Sequence, residues 1–195
     1  TLAGLGPRER ARHIAVLLQH SSRGFGASVL ETVLTGRHPH LGPLAWEDAN
    51  DLAIASSAID QLDLTGLSDR PLTTLSGGEL RRVEIARLLA QGSPLSLLDE
   101  PLNHLDLAHQ ATCLRVLLEH CVDRAHALLM VMHDLNLAYQ ACDHWLLLFG
   151  DGDWLAGARE DVADPDLLRR AFGPHLAVVD GPMGPVFLTR LQSGE

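Results

Sequence analysis

"LSGGELRRVEIARLLAQGSPLSLLDEP" runs from Leu75 to Pro101. A Ser-Gly-Gly-Glu opens it, an apolar run ending in two adjacent acids closes it, and about one helix lies between. Ser76 followed three residues later by Glu79 has the form of a capping box, so the spacing predicts a helix over Glu79 to Gln91, closed by Gly92 and Pro94. "PLSLLDE" then reads as a buried strand that delivers Asp99 and Glu100 at its end. A helix whose first turn is Ser-Gly-Gly offers unpaired backbone N–H groups, a hydroxyl and no bulky side chain, a combination that suits a phosphate. A strand end in an open α/β sheet lies where ligands bind; one acid there can hold Mg²⁺ through water and the other can orient or deprotonate an attacking water. Taken singly, a capping box merely begins a helix, and a strand can run into an acidic turn for no chemical reason.

Working outward, "RHIAVLLQ" reads as a short buried strand, Ile14 to Leu18, with Gln19 at its end, and "HSSRGFGAS" as a loop. From Ser28 to about Asp63 the apolar spacing turns helical, broken by "GRHPHLGP", which predicts a small helical lobe. "TGLSDRPLTT" is a polar connection back to the opening stretch. Beyond it come a helix near Leu107 to Cys121, a strand "ALLMVMH" with His133 at its end, a short helix near Leu135 to Ala141 and a strand "WLLLF". The alternation argues for a largely parallel α/β sheet. The tail reads as a turn at "GDGDW", a helix at "DPDLLRRAF" and a closing hairpin. Three strand ends therefore carry a polar group suited to phosphoryl chemistry: Gln19, Asp99-Glu100 and His133.

The bulk numbers narrow the class. With 195 residues and 46% hydrophobic side chains the chain can bury a real core. Its net charge of -10 opposes a polyanion, so nucleic acid is not an expected partner. No stretch approaches the roughly 20 apolar residues that span a bilayer, so membrane association is expected to go through another protein. Cys113, Cys121 and Cys142 follow no zinc spacing and read as buried or idle thiols. His38 and His40 flank a proline without a third ligand and read as surface residues rather than a metal site.

In this order the motifs resemble the nucleotide-binding subunit of ATP-binding-cassette (ABC) transporters, over essentially the whole chain. Gln19 matches the Q-loop, "LSGGE" the signature, "LSLLDE" the Walker B strand, "LNHLD" the D-loop and His133 the switch histidine. "TGRHPH", "HDLNLA" and the closing hairpin look most like the ATPases of importers for iron-siderophore, haem or cobalamin. The resemblance implies an α/β, P-loop NTPase-like (RecA-like) core with an inserted helical subdomain. It divides the chain into residues 1–24, core with Q-loop; 25–75, helical subdomain; and 76–195, signature helix, Walker B and the remaining core. It implies that Gln19 and Asp99 serve Mg²⁺, that Glu100 polarises the attacking water and that His133 contacts the γ-phosphate. Ser76, Gly77, Gly78 and Glu79 would meet the ATP of a partner subunit, and Asp106 would report across that interface. Implied partners are a second cassette, transmembrane permease subunits and, indirectly, a periplasmic or extracellular substrate-binding protein; the implied location is the cytoplasmic face of the membrane, peripherally.

Three departures stand out. Ser96 interrupts the usual apolar Walker B strand, and Leu102 sits where the D-loop usually has Thr. More seriously, all 15 basic residues are Arg, and a chain without Lys cannot contain G-x-x-x-x-G-K-[ST], whose backbone cradles phosphates and whose Lys neutralises them. "TLAGLGPRERARHIAVLLQ" resembles the stretch between that loop and the Q-loop, so the expectation is of an N-terminally incomplete piece of a longer ATPase. The alternatives are a degenerate cassette that never had a phosphate loop, or a soluble ABC ATPase; those of DNA repair separate Q-loop and signature by long coiled coils, and no heptads occur here, while those of translation carry two cassettes, against the single cassette and acidic charge here.

Overall fold

The structure, a computed structural model, describes residues 2–19, 26–122, 126–182 and 184–190, so most of the loop expected at 20–28 lies outside it. The chain forms two compact units, Thr1–Val131 and Met132–Glu195.

In the first unit α1 (Pro7–His13) opens with proline, carries Glu9 in its first turn and ends on Arg10, Arg12 and His13, the charge order that complements a helix dipole. It buries no residue. It leads into β1 (Ile14–Leu17), which with β2 (Leu95–Asp99) and β3 (Ala127–Val131) makes a parallel sheet of order β1-β2-β3. The register sets Leu17 beside Leu98 and Asp99 beside Val131, and the Glu100 N–H extends the ladder by donating to the Val131 carbonyl at 3.1 Å. Ala15, Leu17, Ser96 and Leu98 are buried, so the polar interruption of the central strand points inward. β1 ends one residue before the expected boundary, and Gln19 stands two residues past it.

Between β1 and β2 lie α2 (Val29–Leu34), α3 (Ala49–Gln61) and α4 (Gly77–Gln91), which pack on one another and bury Val29, Val33, Ala55, Ile59, Val83 and Ile85. Each large aliphatic among these contributes roughly 1.5–3 kcal/mol of transfer free energy. Gly36 permits the approach, because a Cβ there would fall 2.4 Å from the Arg87 carbonyl oxygen of α4. Beside it Arg37, in the 3-10 turn that follows α2, pairs with Asp51 of α3 at 2.8 Å and donates to the Ala90 carbonyl of α4 at 2.9 Å, tying that turn to both helices. α4 starts at Gly77 rather than at Glu79, since the capping box makes Ser76 the N-cap and Glu79 the third helical residue. It ends as expected, on a left-handed Gly92 with φ 63°. After β2 the chain turns through Pro101–His104 into α5 (Leu107–Val122).

The second unit holds α6 (Leu135–Ala141), β4 (His144–Leu148), β5 (Trp154–Ala158), α7 (Arg159–Val162), α8 (Pro165–Phe172), β6 (Leu176–Gly181) and β7 (Gly184–Thr189). Here the structure corrects the sequence reading: "WLLLF" is not a further parallel strand, because β4 pairs antiparallel with β5. The reversal lies in the intervening turn, where Gly152 takes φ 94° and Arg170 of α8 clamps both Asp151 and Asp153, at 2.6 and 2.5 Å. The closing hairpin is present as β6–β7. Trp145, Leu147, Phe149, Val162, Leu168 and Phe187 form this unit's core. No helix among the described residues is long and apolar enough to cross a membrane.

Candidate functional site

Two of the expected strand-end groups meet. The Gln19 amide donates from Nε2 to Glu100 Oε2 at 2.8 Å, and the Asn103 amide donates to the same oxygen. Glu100 sits in the left-handed region at φ 46°, and His104 follows at 67°. Non-glycine residues held there store of order 1–3 kcal/mol each, and such strain gathers where a site demands a particular side-chain direction. The turn also closes on itself, with the Asn103 N–H donating to the Glu100 carbonyl at 3.3 Å. Asp99, half-buried, is the last residue of β2.

Behind this turn lies Arg81, one turn into α4 and buried. Its Nε donates to the Pro101 carbonyl at 3.1 Å, one terminal nitrogen to the carbonyls of Asp99 and Glu100 at 2.7 and 2.8 Å, and the other to the Leu18 carbonyl at 2.7 Å and to Glu84 at 3.1 Å. Sequence reasoning missed both Arg81 and Asn103. A signal for Arg81 was present: it falls with Glu84 three residues on within the apolar, buried part of a helix, where unpaired charge is rarely tolerated.

At the head of α4 the Ser76 hydroxyl accepts the Glu79 N–H at 3.3 Å while the Ser76 N–H donates to the Glu79 carboxylate at 2.7 Å. That backbone donation, then the hydroxyl, holds the Glu79 carboxyl below its ordinary value of 4.5. Glu79 is thus committed to the cap. Gly77 is exposed and Gly78 half-buried, and among the described residues no protein acceptor takes either amide. A Cβ on Gly78 would stand 3.1 Å from the His104 carbonyl, so the signature and the turn after Glu100 are in close contact.

Asp106 caps α5. Its carboxylate accepts the His109 N–H at 2.9 Å and touches the His109 ring at 2.9 Å, and these contacts lower its pKa, the backbone donor most of all. His133 belongs to the second unit and is exposed; the next residue, Asp134, caps α6 by accepting from Asn136 and Leu137 at 2.8 and 3.0 Å. Burial pushes the Cys113 thiol up to about 11, in keeping with an inert side chain.

The donor set suits a hard cation. Asp99 offers a carboxylate, and Gln19, whose Nε2 is engaged, retains an amide oxygen. Among the described residues no three His, Cys, Asp or Glu side chains gather as a ready cage. Such a site fits an ion that takes one or two protein oxygens and fills its shell with water and phosphate, which is the habit of Mg²⁺.

Comparison with known proteins agrees with this architecture. The ABC transporter family model matches residues 6–103. The hemin import ATP-binding protein HmuV of Myxococcus xanthus is 42% identical over 187 residues, which is 92% of this chain and 68% of the relative. The cobalamin import ATP-binding protein BtuD of Halobacterium salinarum is 36% identical, over 93% of this chain and 45% of the relative. Among solved structures, a metal-chelate type ABC transporter in an inward-facing conformation superposes with a TM-score of 0.80 at 29% identity, covering 93% of this chain and 73% of that one. The α/β fold is therefore that of the P-loop NTPase-like ABC cassettes, and the chain belongs to the ABC transporter family, among its ATP-binding subunits.

Proposed function

We propose that the chain supplies the greater part of the ATP-hydrolysing subunit of an importer whose cargo is haem, or a related metal chelate such as cobalamin or an iron-siderophore. The convergence of Gln19, Asn103 and Glu100 at the strand ends, with the glycine-headed helix α4 beside them, is the observation that carries this reading. Support for the cargo class comes from relatives named for hemin import, cobalamin import and achromobactin transport.

In this reading Glu100 is the carboxylate that orients the attacking water. The water oxygen attacks the γ-phosphorus, the bond to the β-phosphate oxygen breaks, and Glu100, held by Gln19 and Asn103, draws on the water's proton. Asp99 and the Gln19 amide oxygen would hold Mg²⁺, which neutralises phosphate charge when bound. The Ser76 hydroxyl and the amides of Gly77 and Gly78 serve the ATP of a second cassette, Glu79 serves them by fixing the cap, Asp106 lies at the shared interface, and His133 contacts the γ-phosphate. The division into 1–24, 25–75 and 76–195 assigns the helical lobe to a transmembrane permease, with Gln19 leading into it, and sets the subunit on the cytoplasmic face of the membrane. A phosphate loop with its lysine completes the site. Residues 1–195 alone, without any Lys and with Asp99 and Glu100 repelling phosphate, are expected neither to bind ATP tightly nor to hydrolyse it.

The test is reconstitution of the complete subunit with its permease in proteoliposomes. Stimulation of ATP hydrolysis by haem-loaded binding protein is the expected result. Hydrolysis stimulated instead by ribosomes or DNA, and not by any loaded binding protein, would move the chain to the soluble ABC ATPases.

A further inference from the structure

We infer that Arg81 is a positioning residue that locks the head of α4 to the two strand ends carrying Gln19 and Glu100, so that the signature and the water-orienting carboxylate move as one body. The inference rests on the functional reading above for what those two groups do.

All five N–H groups of the guanidinium are used, four on backbone carbonyls and one on Glu84. The four carbonyls are not scattered: Asp99, Glu100 and Pro101 are consecutive, and Leu18 immediately precedes Gln19. A planar fork with fixed donor directions can define the relative placement of two chain segments in a way that a rotating ammonium cannot. What it defines here is the backbone of Glu100 in its left-handed conformation, which needs an external hold to persist, and the approach of Gln19 to the Glu100 carboxylate at 2.8 Å. The same side chain springs from α4 five residues after Ser76, and a Cβ on Gly78 of that helix would stand 3.1 Å from the His104 carbonyl at the far end of the same turn. In a dimer in which the signature serves the partner's nucleotide and Glu100 its own, this block joins the two sites through a single subunit. A shift of Ser76-Gly77-Gly78 on one nucleotide is transmitted to Gln19 and Glu100 at the other.

Glu84 complicates the simple deletion, since removing Arg81 alone leaves a buried carboxylate without its cation. The experiment therefore compares, in the complete subunit, Arg81→Met/Glu84→Gln, which neutralises the pair, with Arg81→Lys, which keeps the charge and loses the fork. In variants shown to be folded by circular dichroism, both are expected to lower kcat roughly tenfold or more with KM for Mg-ATP within about threefold, and to bring the Hill coefficient towards one. If Arg81 only balances Glu84, Arg81→Lys restores the parent kcat, and that result overturns the inference; so does a folded double variant with parental kcat and cooperativity. A second readout is independent of activity: amide hydrogen exchange over 99–105 should quicken at least about tenfold in the double variant while α3 is unchanged. Should the parent subunit itself fail to hydrolyse ATP, the functional reading falls, and the exchange pattern alone decides: a local loss at 99–105 upholds the positioning, a uniform loss through the unit refutes it.

Discussion

Two helices of the first unit begin with the same device and do different things. Ser28-Val29-Leu30-Glu31 and Ser76-Gly77-Gly78-Glu79 both close a reciprocal capping box. At α2 the residues inside the box are apolar, Val29 is fully buried, and the Val29 and Leu30 amides donate to the carbonyls of Arg70 and Ser68 at 3.0 and 2.9 Å. At α4 the residues inside the box are glycines, and among the described residues no protein group takes their amides. The box satisfies two helix-end donors in either case; what fills its interior decides whether the remaining donors are spent on packing or kept for an anion. A Ser-x-x-Glu pattern therefore marks a helix start, and the Gly-Gly within it sets α4 apart by leaving its first amides without a protein acceptor among the described residues.

Exchanging the interiors should break this contrast most visibly. Gly77→Val in the complete subunit places a side chain where the proposed site receives the partner's phosphate, while a Cβ there meets only the His104 Cβ, at 3.9 Å. Hydrolysis should fall roughly 100-fold or more with thermal stability nearly unchanged, as measured by steady-state kinetics beside a melting curve. Val29→Gly should do the converse. It loses a fully buried side chain and adds a glycine to a helix, together about 3 kcal/mol of destabilisation in denaturant titration, with unaltered turnover per folded molecule.

Gly78→Ala sharpens the comparison with a smaller effect. Its Cβ would stand 3.1 Å from the His104 carbonyl, so the turn after Glu100 must yield by a few tenths of an ångström. The strain and the better helix propensity of alanine offset one another to within about 1 kcal/mol, whereas kcat should drop severalfold. Smallest is the pH response the two boxes share. Glu31 and Glu79 both titrate below the ordinary 4.5 because the N-cap amide donates to each. A lowered folded value means stability that is present above 4.5 and lost as pH falls through the folded value. Glu31→Gln and Glu79→Gln should thus each lower the melting temperature at neutral pH, and the gap to the parent should narrow in acid.

The strand ends and the box were legible in the sequence because both rest on local rules, an apolar run that stops at a polar group and an i, i+3 reciprocity. What escaped has no local rule. α1 buries nothing and has no apolar period to betray it. β5, with Ala156 and Gly157 at its middle, has little strand propensity and owes its pairing to the turn that Arg170 holds from a helix further along the chain. Arg81 acts on the backbone of other segments, and its spacing from Glu84 hints at a buried pair without showing which carbonyls it reaches; Asn103 meets the Glu100 carboxylate only because the turn between them brings it round. The left-handed φ of Glu100 is likewise invisible in the letters "DEP", although it is what turns the carboxylate toward Gln19.

Glu100 is proposed to orient the water in a site that the signature of a second copy completes. Glu100→Gln in the complete subunit keeps the side chain's size and removes the charge, so it should retain ATP and stop turnover; Ser76→Arg should block the partner's phosphate instead. Light scattering of both in Mg-ATP is the direct measurement. Glu100→Gln is expected to accumulate as a dimer and Ser76→Arg to stay monomeric, and hydrolysis at the parent rate by Glu100→Gln would mean that another group orients the water.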